Sequence, residues 1–209
     1  MKSKPYITIA FVLFLFLPLQ NSYSQISYYI GIKGGTVFSQ YIISDEYSGD
    51  GTNSRILPAI GFTSQLFKSE YFMLMPEFYF LQRGMGGYGY ISDRTSPVTY
   101  LSCLLLPAFR IENKLINAFF LAGPRIEFNL NYNKTDFLDF NHINKVNFGF
   151  TLGTGLEKEI SRKICATAEF RYSRDITPFA QSETVGGTIL HYANSSFDAL
   201  IGINYKLGK

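Results

Sequence analysis

The segment Lys163–Asp175, KICATAEFRYSRD, alternates with a period of two. Ile164, Ala166, Ala168, Phe170 and Tyr172 fall on one side, and Lys163, Thr167, Glu169, Arg171 and Asp175 on the other. Two is the side-chain period of a β-strand, so one face of this strand is apolar and the other charged. The pattern recurs along nearly the whole chain, with no helical stretches to cover the apolar faces. Hydrocarbon is then the partner those faces require, and the charged faces line a closed interior, because strands cross lipid only when every backbone group is paired.

Alternation predicts eight strands, at 27–39, 55–67, 71–83, 98–110, 117–129, 146–158, 163–175 and 195–207. Each exceeds the 9 to 11 residues, roughly, that a tilted spanning strand needs. The connections 68–70, 111–116 and 159–162 are short, whereas 40–54, 84–97, 130–145 and 176–194 are long and rich in Gly, Ser, Asp and Asn. This rhythm predicts an all-β fold, an eight-stranded antiparallel up-and-down transmembrane barrel. An even strand count places both termini on the short-turn side, periplasmic in such barrels, and the long loops outside the cell.

Parity sorts the side chains. The fifth strand sends Ala118, Phe120, Ala122, Pro124, Ile126 and Phe128 outward, and Phe119, Leu121, Gly123, Arg125 and Glu127 inward. In the fourth, Leu104 and Leu106 point inward beside Tyr100, Ser102 and Arg110, and a bulge is the device that would change that register. Phe38, Tyr41, Phe80, Phe128, Tyr132, Phe148 and Tyr172 are expected in one aromatic girdle, and Tyr28, Phe72, Phe120 and Tyr205 in the other.

The N-terminal residues 1–24 carry Lys2 and Lys4, an apolar run from Ile7 to Leu19 and small residues at Ser22 and Ser24. This is the pattern of a signal peptide, the run being shorter than the roughly 20 residues of a spanning helix. The remainder, 25–209, reads as one barrel domain. A net charge of +3 without a Lys/Arg-rich run gives no basis for nucleic-acid binding. Two histidines and two cysteines, Cys103 facing out and Cys165 in, are too few for a metal site, and neither a disulfide nor a cofactor is expected.

The inward charges Lys33, Arg55, Glu77, Arg83, Arg110, Arg125, Glu127, Glu157, Glu169, Arg171 and Asp198, with Asp175 beside them, are mixed in sign. Eight strands enclose a space that side chains alone can fill. These residues are therefore expected to pair across the lumen and plug it, because unpaired buried charge is too costly. His191, Ser195, Ser196 and Asp198 offer a nucleophile and base on paper. Loop composition accounts for them equally, and no catalytic residue is assigned.

IGIKGGTVFSQ, MPEFYFLQRG, AFFLAGPRIEF and FGFTLGTGLEKEI followed by AEFRYSRDIT resemble the outer-membrane β-barrel family related to PorT. The resemblance spans the mature chain and implies an eight-stranded barrel in the outer membrane of a Gram-negative bacterium, in a family whose PorT branch is linked to protein secretion across that membrane; with no catalytic residue assigned, the protein is expected to be non-enzymatic. Its expected partners are membrane lipid and envelope or secretion-machinery proteins. Where that family often carries Y-L-E-I-P, this chain reads Tyr100-Leu101-Ser102-Cys103-Leu104, and its last residue is Lys209 rather than an aromatic. Two alternatives are a membrane-embedded hydrolase or acyltransferase using loop residues, and a soluble lipocalin-like barrel. The second is disfavoured by its bulk: Phe72, Phe78, Phe80, Phe120, Phe128, Phe148, Phe150, Phe170 and Phe197 on one face are too many rings for a narrow lumen.

Overall fold

The computed structural model describes residues 27–44, 52–87, 97–131, 142–183 and 187–207. The segment 1–24 read as a signal peptide, Tyr132 and most of the Gly-rich loop sequence lie outside these residues. Among the described residues eleven strands occur in chain order: β1 Ser27–Ser44, β2 Asn53–Lys68, β3 Phe72–Arg83, β4 Met85–Gly87, β5 Val98–Ile111, β6 Asn117–Asn131, β7 His142–Ile143, β8 Val146–Glu159, β9 Ile164–Asp175, β10 Ala180–Glu183 and β11 Ile189–Leu207. The long ones, β1, β2, β3, β5, β6, β8, β9 and β11, form a closed antiparallel barrel, each pairing with the next and β11 pairing back to β1. Closure leaves no edge among them, as hydrocarbon demands.

The outer face is a belt of exposed apolar side chains, including Phe62 and Ile201 at 71% each. Phe170, Tyr172 and Phe197 form one aromatic cluster on it, with Phe170 and Phe197 stacked at 5.8 Å. Leu104 and Leu106 are buried inward. The register shift opposite Thr99 and Tyr100 is a bulge on β6, which carries the extra residue Leu130 between Asn129 and Asn131 at the long-loop end, so β5 keeps its alternation throughout.

Three expectations need correction. β1 and β11 run beyond the predicted boundaries and pair up to Ser44↔His191, so parts of 40–54 and 176–194 are strand rather than loop. Tyr41, 2% exposed, is not in a girdle but turns inward at the barrel mouth. There it packs on Phe179 at 4.8 Å, in a cluster with Met85, Ala180 and Tyr192. β10 pairs with both β11 and β7, carrying that cluster as a cap over the long-loop end. Finally, Lys68 is not a turn residue. Tyr29 faces Gln65 but Ser27 faces Lys68, a bulge with Phe67 at φ 51°, and the extra residue flips the alternation so that Lys68 enters the lumen.

Four prolines sit in barrel strands, all on the outer face: Pro58, Pro76, Pro107 and Pro124. Proline has no N–H for the ladder. Pairing of β2 with β3 breaks between Thr63↔Glu77 and Leu66↔Leu74, around Pro76. Pairing of β5 with β6 breaks between Leu104↔Arg125 and Ala108↔Leu121, around both Pro107 and Pro124. The pairings of β5 with β3 and of β6 with β8 run through these same residues without a break.

Candidate functional site

Six basic and six acidic side chains are buried among the described residues: Lys33, Lys68, Arg83, Arg110, Arg125 and Arg171 against Glu77, Glu127, Glu157, Glu169, Asp175 and Asp198. Alternation aims eleven of them inward and the bulge at Phe67 turns Lys68 in after them, and they assemble in three tiers along the barrel axis.

The middle tier is a four-residue ring. Lys33 Nζ donates to Glu77 Oε1 at 2.6 Å and pairs with Glu169 Oε1 at 2.5 Å. Arg171 Nη1 donates to Glu77 Oε2 at 2.6 Å, and its Nε to Glu169 Oε2 at 2.8 Å. Thr63 Oγ1 adds a donor to Glu77 at 2.9 Å, and the Arg171 guanidinium lies 5.7 Å from the Tyr79 ring centroid. Two cations and two anions cancel here, with residues of β1, β3 and β9 drawn together across the lumen.

Toward the short turns, Glu157 is held by Lys68 Nζ at 2.7 Å, by Arg110 Nη2 at 3.1 Å and by the Gln65 amide at 3.2 Å. Lys68 Nζ also stands 4.0 Å from the centroid of the Tyr29 ring. Toward the long loops, Arg83 Nε donates to Glu127 Oε1 at 3.1 Å, its Nη1 donates to Ser196, and Arg125 pairs with Asp175. Ser196 and Ser173 donate to the two carboxylate oxygens of Asp198 at 2.8 and 3.1 Å. Asn194 donates to Asp175 through its side chain at 2.7 Å. Such charge-assisted bonds are the form in which buried charge persists.

Glycines on β8 make room for this filling. A Cβ on Gly149 would meet Arg125 Nη2 at 2.7 Å and one on Gly153 would meet Arg171 Cγ at 2.9 Å, while one on Gly155 would strike the Phe119 ring. Apolar side chains fill the positions between the charges on β3, β5 and β6: Met73, Met75, Leu104, Leu106, Phe119 and Leu121 belong to one buried cluster. What space is left among Tyr79, Arg83, Arg125, Arg171, Asp198 and Leu200 amounts to a cavity of about 10 Å³, room for one water at most.

Ten of the eleven charges singled out by sequence lie in these tiers. Arg55 is the exception, standing half-buried at the upper end of β2 opposite Ser39. Sequence reasoning missed Lys68, whose turn inward depends on the bulge at Phe67, and Gln65, Ser173 and Asn194, neutral residues with no signal beyond parity.

The residues weighed for catalysis do not converge. Ser196 and Asp198 are on the lumen face of β11, whereas His191 and Ser195 are on the other. Ser195 donates to the Tyr172 hydroxyl at 3.2 Å, and His191 is four strand residues away, roughly 13 Å. Among the described residues, no group of three or more His, Cys, Asp or Glu side chains is placed to hold a metal ion. Cys103 is half-buried on the outer face, Cys165 is buried on the inner one, and both are free thiols.

A closed antiparallel barrel with an apolar belt and an interior of paired charges is an outer-membrane β-barrel protein. The model of the outer membrane protein beta-barrel domain matches residues 20–205, and the chain belongs to that family. Its fold is similar to that of the outer membrane protein OprG from Pseudomonas aeruginosa, with a TM-score of 0.56 at 11% identity over 89% of this chain and 99% of that one. It is similar also to the outer membrane protein AlkL in lipid bilayers, at 0.57 and 14% over 91% and 94%. Neisserial surface protein A gives 0.52 and 9% over 85% and 96%. At these identities the likeness is one of fold. No curated protein sequence matches the chain significantly.

Proposed function

We propose that this protein is a non-enzymatic outer-membrane barrel, closed along its axis, that presents its long loops to partner proteins outside the cell. The observation that carries the reading is the luminal network: six cations and six anions are buried in the interior with an apolar cluster beside them, and the cavity among Tyr79, Arg83, Arg125, Arg171 and Asp198 is about 10 Å³. A pore needs continuous water, and an enzyme needs converging groups with room for substrate. Residues 1–24 act as an export signal, both termini are periplasmic, and the long loops are extracellular.

Within that frame, the PEFYFLQRG and LAGPRIE stretches support membership of the PorT-related branch and an accessory role in protein secretion across the outer membrane. The axial closure is tested by conductance in planar bilayers: the protein should give no stable single-channel steps, and a large steady conductance would overturn the reading. The partner role is tested by crosslinking on intact cells and purification of the barrel. Secretion-machinery components should be recovered with it, and recovery of lipid alone would remove the accessory role.

A further inference from the structure

Exposed charge is scarce on the wall of this barrel. Among the described residues of its eight strands only Lys158, Glu159 and Arg174 are both charged and exposed, and the first two lie at the short-turn end of β8. Arg174 stands alone toward the long loops. Its side chain makes no ion pair with another described residue. On β2, β3, β5 and β6 the outward positions of that end are apolar, at Ile56, Phe80, Leu101 and Phe128. A guanidinium at the edge of an apolar belt lies at the level of lipid headgroups, where phosphate is the anion its two-pronged donor geometry fits.

Strand register supplies its neighbours. Arg174 lies between Phe150 of β8 and Ser195 of β11, and Ser195 faces Gln40 of β1. Tyr172 is two residues before Arg174 on the same face, roughly 7 Å away. Ser195 donates to the Tyr172 hydroxyl at 3.2 Å, so the phenol keeps its own proton to give to an acceptor. Deeper in the belt, the Tyr172 and Phe197 rings meet at 5.1 Å and Phe170 stacks on Phe197. Below them the same four strands carry Gly34, Ala168 and Ala199, whose small side chains leave a groove of about 620 Å³ bounded by Leu156, Phe170 and Ile201. The surface therefore runs from a phosphate-binding edge to an apolar trough, the order of groups along a membrane lipid.

We propose that the wall formed by β8, β9, β11 and β1 holds one outer-leaflet lipid with the chemistry of lipid A, a phosphorylated and multiply acylated disaccharide. Its phosphate sits on Arg174 and the Tyr172 hydroxyl, and one acyl chain passes over the aromatic cluster into the groove. Gln40, two strands or roughly 10 Å across from Arg174, offers its amide to the sugar. The choice of an outer-leaflet lipid rests on the orientation proposed above, with the long loops outside. Protease access to those loops on intact cells tests that orientation by itself, whereas lipid retention in nanodiscs, where both leaflets are alike, does not depend on it.

The test reconstitutes the protein in phosphatidylcholine nanodiscs doped with hexa-acylated, bis-phosphorylated lipid A and counts the lipid retained on the ejected barrel by native mass spectrometry. One retained lipid A is expected. R174Q should lower the retained fraction at least five-fold and Y172F about two-fold, while K158Q, which removes an exposed charge at the other end, should leave it unchanged. A199F fills the groove from the lipid side and should lower retention with Arg174 intact. Dephosphorylated lipid A and phosphatidylglycerol, used in place of lipid A, should each be retained at least five-fold less. Undiminished retention by R174Q, an equal loss in K158Q, or equal retention of either substitute lipid would overturn the site.

Discussion

Phe119 and Gly155 face each other across the β6–β8 ladder, and the Phe119 ring occupies the space that a side chain at position 155 would need. The ring is fully buried, so it has nowhere to retreat. Gly155→Ala should therefore destabilise the barrel by about 1–3 kcal/mol, the usual cost of overpacking. Urea unfolding in lipid vesicles measures it. Adding Phe119→Leu to the same chain should recover most of the loss, which separates overlap with the ring from a backbone effect.

Glu77 receives Lys33, Arg171 and Thr63. Replacing it with Ala leaves two buried cations sharing Glu169 alone. Removing one partner of a buried ion pair costs about 3–5 kcal/mol, because the remaining charge stays out of water. Glu77→Ala is expected to lose that much in the same unfolding measurement. Glu77→Ala/Lys33→Met removes the excess cation along with the acid and should be less damaged than Glu77→Ala alone. A double variant worse than the single one would refute the compensation.

The two faces of each strand were legible because apolar and polar residues alternate, as Phe148, Phe150 and Leu152 do against Asn147, Gly149 and Thr151 in β8, and their orientation followed from bulk, since the phenylalanines on the apolar face are too many for the lumen of an eight-stranded barrel. Partners across the lumen were not. Arg171 reaches Glu77 over 94 residues of sequence and Gln65 reaches Glu157 over 92, and such meetings depend on strand stagger, which period-two alternation does not encode. Local exceptions escaped for a related reason. Lys68 changes face at a bulge that Phe67 creates, and Tyr41 turns inward because β1 and β11 continue past the bilayer to support a cap. The prolines were visible, yet which seam each one breaks follows only from which ladder its missing N–H faces.

Leu152 stands at the middle of β8 on the outer face, paired with Ala122 and Tyr172. Leu152→Arg places a charge in hydrocarbon and should cost about 2–4 kcal/mol. The same change at Ile176, exposed beyond the end of β9, should cost less than about 1 kcal/mol, since the cost fades toward the interface. Paired refolding titrations of the two variants compare the positions directly. Equal costs would be inconsistent with a bilayer centred on this belt.

The cap over the long-loop end rests on Phe179, which is fully buried against Tyr41 and Tyr192. Its N–H donates to Tyr192 O at 2.8 Å, and its carbonyl accepts from Asn144 N at 2.8 Å, tying β10 and β7 to β11. No ion-pair tier depends on it. Truncating a buried Phe costs about 3–5 kcal/mol, and here the loss should stay local because the barrel ladders below close without the cap. Phe179→Ala is therefore expected to speed amide exchange at 180–183 and 189–192 by about 10² or more, with exchange in β6 and β8 unchanged. Nuclear magnetic resonance in nanodiscs reads both regions in one experiment. If the barrel amides accelerate in step with those of the cap, the two form a single cooperative unit, and the cap is part of what holds the staves together.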